Sequence, residues 1–202
     1  MRALLRSTAA AGVLAATMLV GSLGGTAVAA PATATPLAGG TTTVTTGPGI
    51  AATLLRNGIL PLATPPGRQS IGISHGSLTT SFSFPVTGGA VDLATLAGTI
   101  RHRGGIVFIN LRSGKKLAID NFVIDTRTGT LTARVNRTST RVPVFTLDLS
   151  AATVSASGRQ VKVGNIDVRL TAVAAGALNS ALGTHVFAGG LDLGTARTTL
   201  RV

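Results

Sequence analysis

The feature that most constrains this chain is a two-residue alternation of apolar and polar side chains that recurs along its length. In LTTSFSFPV, Leu78, Phe82, Phe84 and Val86 fall on one face and Thr79, Ser81 and Ser83 on the other, because successive side chains of a strand point to opposite sides of the sheet. The pattern returns as Leu131, Ala133 and Val135 against Thr132 and Arg134, as Phe145, Leu147 and Leu149 against Thr146 and Asp148, and as Ile166, Val168 and Leu170 against Asp167 and Arg169. Each run has one face for a core and one for water, so the chain is all-β.

Turn-forming clusters punctuate these runs at TGG (87–89), RGG (103–105), SGKK (113–116), TRTG (126–129), SGR (157–159) and GN (164–165). Parallel crossovers need a dozen or more residues between strands, so turns this closely spaced predict antiparallel hairpins. The expected fold is a meander-rich antiparallel β-sandwich. TTTVTT begins it near Thr41, and LGTARTTLRV ends it. Two short helices interrupt it. GPGIAATLLRNG offers Pro48 at a helix start, Ile50, Leu54 and Leu55 as an apolar stripe and Gly58 at its end; TAVAAGALNSALG offers Thr171 as N-cap, an inward face of Leu178, Ala181 and Leu182, and Gly183 as terminator. ILPLATPPGRQS reads as a loop because of its prolines.

The N-terminus carries an export signature: Arg2 and Arg6, an apolar run from about Ala9 to Leu23, and Ala27-Val28-Ala29 as the small-residue cleavage pattern. We expect a signal peptide over residues 1–29, a flexible Pro, Ala and Thr leader over 30–40, and one domain over 41–202. No transmembrane segment is expected after cleavage. With no cysteine in the chain, stability must come from an ordinary core, not from disulfides. Loss of Arg2 and Arg6 lowers the formal charge of +12 by two, and the strongly basic balance that remains attracts polyanions in general. Nucleic acid is set aside, since the arginines are scattered and the aromatic residues are six phenylalanines.

Candidate chemistry is sparse. GISHG (72–76) matches the G-x-S-x-G pattern of a serine hydrolase, with Ser74 as nucleophile and Asp148 or Asp167 followed by His185 in the usual chain order. That elbow requires a helix directly after the serine, and here the clearest strand of the chain follows. His75, His102 and His185 are isolated and lack metal-ligand spacing, and the aspartates are dispersed, so neither a metal site nor an enzyme is expected. His102 lies in TIRHRGGIVF, where counting by twos groups it with Leu96, Gly98 and Ile100 on the apolar face and sets Arg101 and Arg103 on the other. Two readings stay open. The imidazole closes the end of the core through a hydrogen bond to a loop carbonyl, or it is a ligand in a groove whose neighbouring arginines pair carboxylates.

LAGTI leading into HRGGI, then LAIDNFVIDTRTGTLTARV, then LTAVAAGALNSALG with FAGG, is similar to the HtaA-type domain of secreted actinobacterial haem-uptake proteins. FPVTGG, GTIRHRGGI and NFVIDT resemble, more closely still, a group of exported actinobacterial HtaA-like proteins. The resemblance runs from Thr41 to near the end of the chain and implies an antiparallel β-sandwich with two short helices. It also implies haem held by a tyrosine on the first helix, supported by the histidine of an H-x-G motif, whose matching position is His102. The chain has no tyrosine, and the first helix carries Leu54 and Leu55 instead.

These observations lead to the expectation of a secreted, non-catalytic binding or structural domain of the cell envelope, without a required cofactor. Arg101, Arg103, Arg112, Lys115 and Lys116 would contact anionic envelope material or a partner protein. The alternatives are a haem or porphyrin site at His102 and, third, a serine esterase at Ser74.

Overall fold

A computed structural model describes residues 34–74 and 76–202. The expected signal peptide, residues 30–33 of the expected leader, and His75 lie outside the described residues. The elements run β1 (Ala34–Pro36), β2 (Gly39–Thr46), α1 (Ile50–Arg56), β3 (Ile59–Thr64), β4 (Arg68–Ser74), β5 (Ser77–Asp92), β6 (Gly98–His102), β7 (Gly105–Asn110), β8 (Lys116–Asp125), β9 (Thr130–Val135), β10 (Arg141–Asp148), β11 (Thr153–Ser157), β12 (Gln160–Leu170), α2 (Ala172–Leu182) and β13 (Asp192–Arg201).

Every pairing among these strands is antiparallel, and the alternation read from sequence sorts most of the side chains as expected; Thr79, assigned to the outer face, is instead buried, and Leu78, Val135 and Leu149 are only half-buried. Phe82, Phe84 and Val86, Leu131 and Ala133, Phe145 and Leu147, and Ile166, Val168 and Leu170 are all buried. The sheet does not divide into the two layers of a sandwich. Following the pairs from β2 to β5, β6, β8, β9, β10, β12, β13 and back to β2 closes an eight-stranded barrel. Period-two burial is common to sandwich and barrel, so it cannot distinguish them; closure depends on β6 reaching β8 through Thr99–Asp125, Ile100–Ile124 and Arg101–Val123. The remaining strands extend the ring: β1 and β4 pair with β5, β7 with β8, β3 with β7, and β11 with β12.

Several turn signals do other work here. TGG lies inside β5, where a register shift between Val86 and Gly88 forms a bulge and the strand continues. GN is likewise a bulge within β12. RGG does not fold β6 back on β7; the two strands follow one another along the edge of β8 opposite β9. ILPLATPPGRQS supplies β3 and β4, and Pro61 is tolerated because β3 is an edge strand paired only with β7. The chain also joins the sheet before Thr41. Ala34–Pro36 pairs with Ala90–Asp92, and Leu37 is buried in the core, so the described part of the expected leader is ordered structure.

Both helices form where expected. In α2, the Thr171 hydroxyl accepts from the Ala174 amide at 3.1 Å and Gly183 ends the helix at φ 64°. Its buried face carries Ala174, Ala175, Leu178 and Leu182 and packs against β8 and β10. The shorter α1 buries Ala51 and Leu54 and leaves Leu55 exposed.

Candidate functional site

Inside the barrel is a cavity of about 80 Å³. Its walls come from distant parts of the chain, because inward positions of every strand in a closed barrel converge on one axis. Five of the six phenylalanines line it: Phe82, Phe84, Phe108, Phe122 and Phe145. Phe84 and Phe122 meet edge to face with centroids 4.9 Å apart. From α1, Ile50 and Leu54 complete the apolar wall.

Among the described residues His102 is the one titratable side chain lining this cavity, and it is 4% exposed. Its inward direction follows the parity read from sequence, with Arg101 and Arg103 exposed on either side. The hydrogen-bond partner is not a loop carbonyl. Nε2 meets the Thr42 hydroxyl at 2.7 Å, and that hydroxyl meets Thr198 Oγ1 at 3.0 Å. Register accounts for the trio. Thr42 sits opposite Thr198 on one side and Phe84 on the other, while His102 sits opposite Val86 two residues along β5. Thr42 and Thr198 are themselves buried. The TTTVTT segment places Thr42, Val44 and Thr46 on one face, but nothing in that pattern marks it as the inner one.

Nδ1 of His102 is buried and makes no hydrogen bond of good geometry among the described residues. Burial is the larger influence on the ring and drives its pKa down to about 4; a hydrogen-bonding contribution from the Phe122 backbone acts the other way. The imidazole is therefore neutral near pH 7, with Nε2 engaged and Nδ1 lacking a hydrogen bond of good geometry. Thr46, the remaining hydroxyl in the wall, already accepts from the Thr80 amide at 2.9 Å.

The basic residues expected to act with His102 fall into two groups. Arg101 lies opposite Val123 on β8, whereas Lys116, at the far end of that strand, lies opposite Ile109. Seven residues of strand separate the two positions, about 23 Å. Arg103 follows β6, and its amide donates to the Pro85 carbonyl at 3.2 Å. Arg112 donates from Nη2 to the Arg56 carbonyl at 2.8 Å, at the C-terminal end of α1, and Lys115 lies against Gly183 at the end of α2. Cations favour these helix ends, where unpaired carbonyls gather.

The hydrolase residues are not assembled on neighbouring strands. Ser74 ends β4 and strand β5 follows it, while Asp167 lies on β12, three strands round the ring from β5, opposite Asp148 on β10. Among the described residues no group of three or more metal-ligating side chains forms, and no helix is long and apolar enough to cross a membrane.

The cavity can be tested against haem. A porphyrin needs room on the scale of ligand pockets of roughly 300–1,000 Å³, and the space here is about 80 Å³. Of the two leucines on α1, Leu54 faces the cavity and Leu55 is 45% exposed, so an aliphatic group stands where a phenolate would be needed. The residues present do not fit haem.

Comparison with known proteins agrees with the architecture. The HtaA family model (Htaa) matches residues 34–184. The fold is similar to the C-terminal domain of HtaA from Corynebacterium glutamicum, with a TM-score of 0.54 at 18% identity, covering 84% of this chain and 99% of that one. Heme binding protein HtaB from the same organism aligns with a TM-score of 0.45 at 12% identity, covering 84% and 96%. No curated protein matches the sequence.

Proposed function

The chain belongs to the HtaA family, and from that premise we propose that it acts by binding, without catalysis, as an exported domain that contacts anionic cell-envelope polymer through one outer wall of its barrel. The observation that carries this reading is how the charges are used. Asp120 and Asp125 pair with Arg134 and Arg127, and Asp92, Asp148 and Asp192 accept from nearby backbone amides. Of the six carboxylates in the chain, that leaves Asp167. Arg68, Lys162 and Arg197 are exposed and have no ion-pair partner among the described residues.

Strand register sets these cations among hydroxyls. Arg68, Ser83, Thr43 and Arg197 lie opposite one another across β4, β5, β2 and β13, which puts the two arginines about 14 Å apart. The adjacent row runs Ser70, Ser81, Thr45 and Thr195, and Thr41, Thr199 and Lys162 form a third. Arg101 and Arg103 extend the wall, because β4 and β6 occupy the same edge of β5. Fixed cations separated by neutral hydroxyls suit a flexible chain bearing phosphate or carboxylate groups at intervals.

Sedimentation of residues 34–202 with purified cell walls over a salt series tests the proposal. Binding should weaken steadily as salt rises and be largely lost when Arg68, Lys162 and Arg197 are all changed to Gln. Absent binding, or binding indifferent to salt, refutes it.

A further inference from the structure

We propose that the barrel interior is a binding site for a compact neutral molecule with an apolar body and one hydrogen-bonding group, seated among the phenylalanine rings with that group on His102 Nδ1. This site is separate from the outer wall and does not depend on it.

Three observations converge on it. The cavity offers about 80 Å³ within the barrel. That is roughly half the volume of an engineered apolar cavity that accepts benzene, so the ligand must be smaller than benzene. Nδ1 lacks a hydrogen bond of good geometry on a side chain only 4% exposed, and a buried polar atom left so destabilises the fold until a partner reaches it.

Apart from His102 and the hydroxyls of Thr42 and Thr46, which already take part in hydrogen bonds, the lining is apolar. A molecule that makes one hydrogen bond to Nδ1 and buries its other atoms against Phe84, Phe122 and Ile106 matches these surroundings. Among the described residues no charged side chain lines the cavity, so an ionic ligand finds nothing there to neutralise it.

Pyrazole is a suitable probe because it has five ring atoms, is neutral at pH 7, and can either donate to a bare Nδ1 or accept from a protonated one. Titration of the wild-type protein near pH 7 should produce a saturable change in the His102 ring 15N shifts, with His185 unmoved. Cyclopentane, equal in ring size but without a polar atom, should bind about tenfold more weakly, the value of one net hydrogen bond. In His102→Leu the preference for pyrazole should vanish while cyclopentane still binds. If that variant fails to fold, the wild-type comparison decides alone. No saturable change at His102 overturns the proposal, and so does equal affinity for the two probes.

Discussion

Thr42 on β2 and His102 on β6 are joined at 2.7 Å across 60 residues of sequence, with β5 lying between their strands. The Thr42 hydroxyl is shared with Thr198 on β13. A single oxygen thus links three strands of the barrel in its interior.

Thr42→Val keeps the shape of the side chain and removes that oxygen, leaving two buried partners unsatisfied. The expected loss is about 3 kcal/mol. Thr198→Val removes only the outer member and should cost about 1 kcal/mol. In urea unfolding the double variant should lose less than the sum, since both changes act on one network.

Acid should destabilise the protein through His102 before it acts on the carboxylates. The folded ring protonates at about 4 and the unfolded one near 6.5, so the unfolded chain binds a proton that the folded barrel refuses between those values. Stability is complete above pH 6.5 and falls as pH drops toward 4, by about 3 kcal/mol in all. Asp92, Asp125 and Asp148 are held below 3.8 by hydrogen bonds from neighbouring residues, so their stabilisation is lost only at lower pH. Thermal melts between pH 6.5 and 4.5 should show the slope in the wild type and not in His102→Leu.

Gly104→Ala should disturb the end of β6. Gly104 has φ +93°, and an added Cβ would stand 2.7 Å from the backbone nitrogen of Gly67. Both the backbone conformation and the neighbour oppose a side chain, because a main-chain atom cannot swing aside as a rotamer can. A loss of roughly 2–4 kcal/mol is expected, with amide shifts at Gly67 and Arg68 in NMR spectra.

Haemin added to the wild-type protein should leave the Soret band at the position of free haemin and the His102 ring signals unmoved. A small cavity and the absence of tyrosine both predict this outcome. A Soret shift abolished by His102→Ala would contradict it.

Much of the fold is legible in residue order. The inner and outer sides of Phe82, Leu131, Phe145 and Ile166 follow from alternation, the helix ends from Thr171 and Gly183, and the direction of His102 from counting along its strand. Closure into a barrel is not legible, because it rests on a short contact between β6 and β8 that no local pattern encodes. Glycine pairs also mislead: Gly88-Gly89 and Gly104-Gly105 look like turns, yet the first lies within a bulged strand and the second separates two strands that share one edge. Of the candidate site, His102 and its flanking arginines could be found from sequence. Thr42 and Thr198 could not, since threonines alternate along both strands and only register identifies the pair that meets the imidazole.

Three residue pairs join β6 to β8, whereas eight join β12 to β13. A closed wall held so unevenly has a seam, and thermal motion parts it where the fewest bonds must break at once. The amides of residues 99–101 and 123–125 should accordingly exchange with solvent ahead of those in β12 and β13, and the passing of a small guest to the interior would take that same doorway.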